Sequence, residues 1–285
     1  MATGQELIDE AVEVLEASQA IDHWQRHRER VEAEELLTHA LGHPGWEPED
    51  EVPGPAARRF RRLITRRAEG EPVPYIRGHA EFRGLRVTVR RGVFVPRDSS
   101  EFLAEQAIRR LRRRSRPVAV DLATGAGVVA LAVANEVSHA EVVGTDVSGA
   151  ATALARANAR RLGLRARFAR GDLFAAVPAR LRGAVDVITL HPPYVGRREL
   201  RELPREVVGF EPVESLTDHS PKGLGLVERA AGEGREWLRR GGWLLVEVSP
   251  DRSRPVATLL RRAGYVDVRS TKGGLAVTRV VTGRA

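Results

Sequence analysis

From Pro117 onward, short β-branched runs take turns with amphipathic stretches, and this alternation restricts the fold of the 285-residue chain more than any other feature. "PVAVDLA", "AEVVGTDV", "ARFARGDLF", "AVDVITL" and "GGWLLVEVS" read as strands. "GVVALAVANEV", "GAATALARANARRLG", "GLGLVERAAGEGREWLRR" and "RPVATLLRRAG" read as helices. Strands that alternate with helices predict an α/β fold built on a doubly wound sheet. The last stretch, "YVDVRSTKGGLAVTRVV", departs from this pattern. Its two strands meet through Gly273-Gly274, too short a link for a parallel crossover, so they must be antiparallel.

The chain before Pro117 has a different periodicity. Leu7, Ile8, Ala11, Val12 and Leu15 lie at helical spacing, "RVEAEELLTHALG" repeats the pattern and stops at Gly42, and "AARRFRRLITRRAEG" is a third amphipathic segment closed by Gly70. Residues 1–75 are therefore expected to form a small helical bundle. "EFRGLRVTVRRGVFVP" alternates apolar and polar residues, so residues 76–96 are expected to form a β-hairpin connector, with a single large domain over 97–285.

Composition narrows the function classes. The absence of cysteine excludes disulfides and thiolate metal sites. His23, His27, His39 and His43 do not have the spacing of a catalytic metal motif, so no metal is expected. No apolar run is long enough to span a bilayer, and the acidic, amphipathic N-terminus does not read as a signal peptide, which makes the cytoplasm the default expectation and a membrane partner an unexpected one. The net charge of +8 is carried almost wholly by arginine. It suits RNA, DNA or the ribosome as partners, and equally suits arginines spread over solvated faces. The densest run, Arg109 to Arg116, follows a helical pattern and reads as that helix's exposed basic end.

Two stretches at strand ends carry chemistry. In "VAVDLATGAGVVALA", Gly125 and Gly127 allow a tight turn into a helix and close approach of a ligand. Taken alone the turn is ambiguous, since Gly125 to Ala130 also satisfies the dinucleotide pattern. Asp121 weighs against a pyrophosphate and for a ligand bearing an ammonium group. S-adenosyl-L-methionine fits: Asp121 would anchor its amino-acid end directly or through water, Asp146 its ribose, and Asp172 its adenine amine. Each carboxylate could instead cap a turn or a helix, but all three fall at successive strand ends on the edge where such sheets bind ligands.

The second stretch is "TLHPPYVG". Pro192 and Pro193 fix φ and contribute no N–H, leaving carbonyls that only accept. Carbonyls beside a polar side chain can grip an amino group, and Tyr194 can pack on a planar one. The same tetrapeptide can also be a proline turn that ends a strand.

The order of these segments resembles the HemK/PrmC family of class I S-adenosylmethionine-dependent methyltransferases, which methylate the side-chain amide N5 of glutamine in peptide release factors. "AEELLTHALG" and "RRAEGEPVPYIRGHAEFRGL" are similar to the family's N-terminal helical domain and connector. "VFVPRDSSE" is similar to its segment ending in Pro-Arg-Pro-Glu-Thr-Glu, "DLATGAG" to its cofactor loop, and "GDLF" to its adenine-side strand end. "HPPYV" stands where the family has Asn-Pro-Pro-Tyr, and "FEPVESL" with "GLGLVERAA" resembles the family's stretch beyond that tetrapeptide. The resemblance implies a Rossmann-like class I methyltransferase sheet with an antiparallel terminal strand, and a helical domain that recognises substrate. It also implies cofactor contacts from Pro96, Arg97, Ser100, Ala123, Thr124, Gly125, Gly127, Val147, Leu173 and His191, besides the three aspartates, and catalysis by His191, Pro192, Pro193 and Tyr194. The implied partner is a protein such as a release factor, with RNA or ribosome contact through the arginine-rich surface as a further expectation.

The chain departs from the family pattern at four places. His191 replaces asparagine, Asp98-Ser99 replaces Pro-Glu, Ala123 stands where glycine is usual, and "TDHSPKGLGL" lacks a Gly-Gly pair. A neutral imidazole offers one donor and one acceptor, and protonated it offers two donors. If catalytic, His191 is expected to accept a substrate N–H in its neutral form and could take its proton. Glu247, ending a strand on the same edge, either lines the site or is structural, and Glu211-Pro212 either orders a lid or turns the chain. Three other readings stay open: methylation of an amino group in RNA or DNA, a degenerate copy that binds without turnover, and, with least support, a nicotinamide oxidoreductase.

Overall fold

The computed structural model describes residues 2–22, 27–273 and 277–285, so His23 and Gly274 lie outside the described residues. The chain divides into two compact units, one of residues 1–79 with 202–211, the other of residues 80–201 with 212–285.

The first unit is a helical bundle of α1 (Gly4–Glu16), α2 (Arg28–Leu41), α3 (Gly54–Ala68) and the short α4 (Val73–Arg77). Thr3 caps α1 reciprocally: its hydroxyl accepts the Glu6 N–H at 3.2 Å, and the Glu6 carboxylate accepts the Thr3 N–H at 2.9 Å. Helix α2 stops where the sequence places its end, at Gly42 in the left-handed conformation. The apolar stripes of α1, α2 and α3 meet in a core of Leu7, Ile8, Leu15, Leu36, Leu37, Phe60 and Ile64.

The second unit opens with strands β1 (His79–Phe82), whose first residue belongs to the helical unit, and β2 (Leu85–Thr88). Their two-residue turn has positive φ at both Arg83 and Gly84, the twist-matched form for hairpins. Then come α5 (Ser100–Leu111), β3 (Val118–Leu122), α6 (Val128–Glu136), β4 (Glu141–Asp146), α7 (Gly149–Leu162), β5 (Ala166–Arg170) and β6 (Val185–Leu190). After α8 (Arg205–Val208) the chain forms α9 (Gly225–Trp237), β7 (Leu238–Val248), α10 (Ser253–Arg262), β8 (Val266–Lys272) and β9 (Arg279–Arg284). The seven-stranded sheet has the order β5-β4-β3-β6-β7-β9-β8. Strands β3 to β7 run parallel, and β9 inserts antiparallel between β7 and β8. Every residue of β6 is buried, as expected for a strand covered on both faces.

Two details differ from the sequence reading. Leu238-Arg239-Arg240, assigned there to the end of a helix, begins β7 instead. Leu238 is buried and pairs with Val185, and a register shift between Val185 and Val187 absorbs the extra residues. The arginine run is not uniformly solvated either. Arg110 lies over the Trp243 ring at 4.6 Å, and burial pushes its guanidinium down to about 10, helped by Arg109.

Between β6 and β7 the chain contributes residues 202–211 to the helical unit. Arg67, 0% exposed, donates to Glu32 at 2.7 Å and to Glu206 at 2.6 Å, and Arg28 grips Glu206 through two bonds of 2.8 Å. Glu211 closes this excursion, buried in the helical unit, and Pro212 opens the next segment of the other unit. Burial alone would raise the Glu206 pKa, but Arg28 and Arg67 together hold it below its ordinary value of 4.5. A depressed carboxylate stabilises the fold above its unfolded pKa and loses that contribution as pH falls through the folded one. Glu206→Ala leaves Arg67 short of a partner inside the bundle, and a loss of about 3–5 kcal/mol is expected in urea unfolding. The wild-type advantage over this variant should shrink below about pH 4.5, the ordinary glutamate value.

Candidate functional site

The sheet registers Asp121 with Thr189 and Leu122 with Leu190 in the parallel pair β3–β6. The glycine turn beginning at Ala123 and the tetrapeptide beginning at His191 therefore leave adjacent strand ends, about 4.8 Å apart across the sheet. On the other side of β3, Leu122 pairs with Thr145, which brings Asp146 to the same edge.

Asp121 lies beneath this edge, 4% exposed. Its Oδ2 accepts the Thr124 hydroxyl at 2.6 Å and its Oδ1 the Thr189 hydroxyl at 2.7 Å. The backbone N–H of Ala130, in the first turn of α6, is a further donor. Burial pushes the carboxyl up to about 6 against the pull of these bonds. Both Asp121 oxygens are engaged inside the protein, so the side chain ties the loop to β6 and leaves at most one lone-pair site for a ligand or a water. Gly127 fits its place at φ +86, where a Cβ would stand 2.9 Å from Ala155 and 3.0 Å from the Phe168 ring. A Cβ on Gly125 would meet nothing within 4 Å, so the loop faces open space there.

Asp146 receives the Gly125 N–H at 2.9 Å and the Ser148 N–H at 2.8 Å. Burial raises its pKa and these two bonds oppose the rise. A carboxylate has about four lone-pair sites, so both oxygens can still accept from a ligand. Asp172 is half-exposed and paired with Arg229 at 2.7 Å. The Leu173 side chain is buried in the core, which leaves its backbone as the part that can face a ligand, while Val147 is exposed at the edge.

The second half of the site gathers around His191, whose side chain is 17% exposed. Its Nδ1 lies 3.1 Å from the Ser100 hydroxyl and 3.7 Å from Oε2 of Glu247. Phe94 meets the ring edge-on at 5.6 Å and Tyr194 stacks on it at 5.8 Å. Burial lowers the His191 pKa, Glu247 opposes this, and Arg97 adds to it. Burial raises the Tyr194 pKa, with Glu247 adding to the rise. Tyr194 pairs antiparallel with Thr217 in an isolated bridge, in which the Val195 N–H donates to the Leu216 carbonyl at 3.0 Å. Pro96 and Arg97 precede α5, with the Arg97 guanidinium 4.6 Å from the centroid of Phe94.

Sequence reasoning missed Phe94 and Gly223. A Cβ on Gly223 would fall 2.0 Å from the Tyr194 carbonyl oxygen, so this glycine lets two loops touch. The sequence signal for Glu247 was a single charge inside an otherwise apolar strand.

Residues 6–78 match the PrmC N-terminal domain, and residues 84–206 match the methyltransferase small domain. A solved methyltransferase from Pyrococcus furiosus overlays with a TM-score of 0.53 at 19% identity, covering 71% of this chain and 89% of its own, a likeness of fold alone. The sheet thus has the class I methyltransferase fold. A release factor glutamine methyltransferase from Bordetella pertussis is 37% identical over 89% of this chain and 94% of its own length. One from Xylella fastidiosa (strain 9a5c) is 37% identical over 90% and 93%. The chain belongs to the HemK/PrmC family of S-adenosylmethionine-dependent methyltransferases.

The backbone at Ala123 makes a testable point. Its φ of +52 is in the left-handed region, which costs a residue bearing a Cβ about 1–2 kcal/mol. Ala123→Gly should leave the urea midpoint unchanged or raise stability by up to about 1 kcal/mol, whereas Ala123→Val should cost about 1–2 kcal/mol.

Proposed function

We propose that this enzyme methylates the side-chain amide nitrogen of a glutamine in a peptide release factor. The observation that carries the reading is the β3–β6 register, which sets the starts of the glycine turn and the His-Pro-Pro-Tyr segment side by side. Donor and acceptor of a methyl group must meet within contact distance, and neighbouring strand ends supply that.

The residues at the edge fit S-adenosyl-L-methionine. Its ammonium, ribose diol and adenine amine are hydrogen-bond donors, and the edge offers Asp146, Asp172 and an open cradle over Gly125. Asp146 would hold the ribose. Asp172 would take the adenine amine once its half-exposed bond to Arg229 yields, since such surface pairs are weak. Asp121 would act on the amino-acid end through the loop or a water, and Val147, Pro96, Arg97 and Ser100 would close around the ligand. When bound, the cofactor supplies an electrophilic methyl group on a sulfonium.

The chain's own work is positioning. An amide nitrogen is a poor nucleophile because its lone pair is delocalised, so orientation supplies much of the rate. A carbonyl of the Pro192-Pro193 pair would accept the amide hydrogen that does not face His191, and Tyr194 would pack on the planar amide. Such acceptors favour the partly positive nitrogen of the transition state more than the neutral amide. The helical unit would recognise the protein substrate, and the +8 charge supports additional contact with RNA or the ribosome.

With methyl-labelled cofactor and a purified bacterial release factor, one methyl group is expected on a single glutamine, located by mass spectrometry. Asp146→Ala should weaken cofactor binding about 10- to 100-fold in calorimetry, the worth of a hydrogen bond to a charged group. An unlabelled release factor beside labelled RNA would overturn the substrate assignment.

A further inference from the structure

The residue that replaces the family's asparagine is held on every side the structure shows. Phe94 and Tyr194 fix the plane of the His191 ring. Its Nδ1 is aimed at Ser100 and Glu247, and its Nε2 has no hydrogen-bond partner among the described residues. Glu247 is fully buried on β7. The Ser99 hydroxyl donates to its Oε1 at 2.9 Å, while its Oε2 is buried with no hydrogen-bond partner. Near that orphaned oxygen stands Nδ1 of His191, at 3.7 Å.

A neutral imidazole carries its proton on one nitrogen only, and the other is an acceptor. A proton on Nδ1 faces two oxygens, the Ser100 hydroxyl and the unpartnered Glu247 Oε2. A lone pair on Nδ1 would confront Oε2 with like charge. We propose that Glu247 holds His191 in the tautomer protonated on Nδ1, which makes Nε2 the proton acceptor for the substrate nitrogen. This rests on the reading that the recess holds the methyl-accepting nitrogen.

The N–H bond of that nitrogen breaks with its electron pair left on nitrogen, and the proton passes to Nε2. The resulting imidazolium is paired with the Glu247 carboxylate, and water then removes the proton. Asparagine can orient an amide but cannot take its proton, so the exchange turns a clamp into a base. His191 is the catalytic residue, and Glu247 is a positioning residue. The charged and titratable groups around the ring are Glu247 from β7, Arg97 from the segment before α5, and Tyr194 from the tetrapeptide itself. The lowered pKa of His191 keeps the ring in its neutral, accepting form.

The tautomer can be read without substrate. In enzyme labelled with 15N-histidine, long-range nitrogen–proton correlation should show His191 protonated on Nδ1 and bare on Nε2, with the signal assigned by its loss in His191→Asn. In Glu247→Gln the new amide can donate to Nδ1, and the balance should move toward Nε2–H. Should Glu247→Gln not fold, Ser100→Ala removes a hydroxyl able to serve either tautomer and leaves Glu247 facing Nδ1, so Nδ1 should stay protonated; a shift to Nε2–H there overturns the proposal. With release factor, wild-type kcat should fall about tenfold per pH unit once below the His191 pKa, and the profile of His191→Asn should be flat. Glu247→Gln should lower kcat at least about tenfold with KM within about twofold. An Nε2–H tautomer in the wild type, or one pH profile shared by wild type and His191→Asn, overturns the proposal. Failure to methylate the release factor refutes the substrate reading alone, because the tautomer still decides this one.

Discussion

The candidate site hangs on one buried carboxylate. Asp121 takes hydroxyl donors from the glycine turn and from β6, and a backbone donor from the first turn of α6. Three elements that converge on the sheet edge are thereby tied to one side chain. The loop cannot shift without disturbing the helix behind it, and β6 cannot slide without losing the Thr189 bond. Because β6 runs directly into His191, the same carboxylate fixes the spacing between the turn and the tetrapeptide. Its pKa of about 6 shows that the three donors do not fully offset the cost of burial.

The neighbouring strand ends carry similar ties. The Thr145 hydroxyl donates to the Leu173 carbonyl at 2.7 Å, binding β4 to the turn after β5. Asp146 then reaches back to the Gly125 N–H. Cross-bonds between adjacent strand ends make the edge a rigid platform, which suits chemistry that depends on holding two poor partners in line.

Much of this architecture is legible in the sequence because periodicity is a local property. Alternating strands and helices, the antiparallel closing pair and the bundle ahead of them all derive from spacing within short windows. The start of β7 does not, since nothing local distinguishes Leu238-Arg239-Arg240 from the last turn of α9. The strand ends that carry the aspartates are legible too, but the direction each carboxylate faces is not. Asp121 turns inward because Thr189, distant in sequence, offers it a hydroxyl. Asp172 turns aside because Arg229 on α9 is within reach. Phe94 and Gly223 act through contacts with segments remote in the chain, and no short motif announces them.

The departures from the family pattern are informative because two of them meet. The pattern that the sequence resembles carries a glutamate at position 99 and an asparagine at position 191, where this chain has serine and histidine. In the folded chain, Ser99 donates to one oxygen of Glu247 and His191 faces the other. A glutamate at 99 would bring a second carboxylate to Glu247 in place of a donor, and an asparagine at 191 would bring no titratable ring. Changes that share a partner have a physical reason to occur together, because each alters what the other must satisfy. The serine quiets one oxygen, and the second is left for the imidazole.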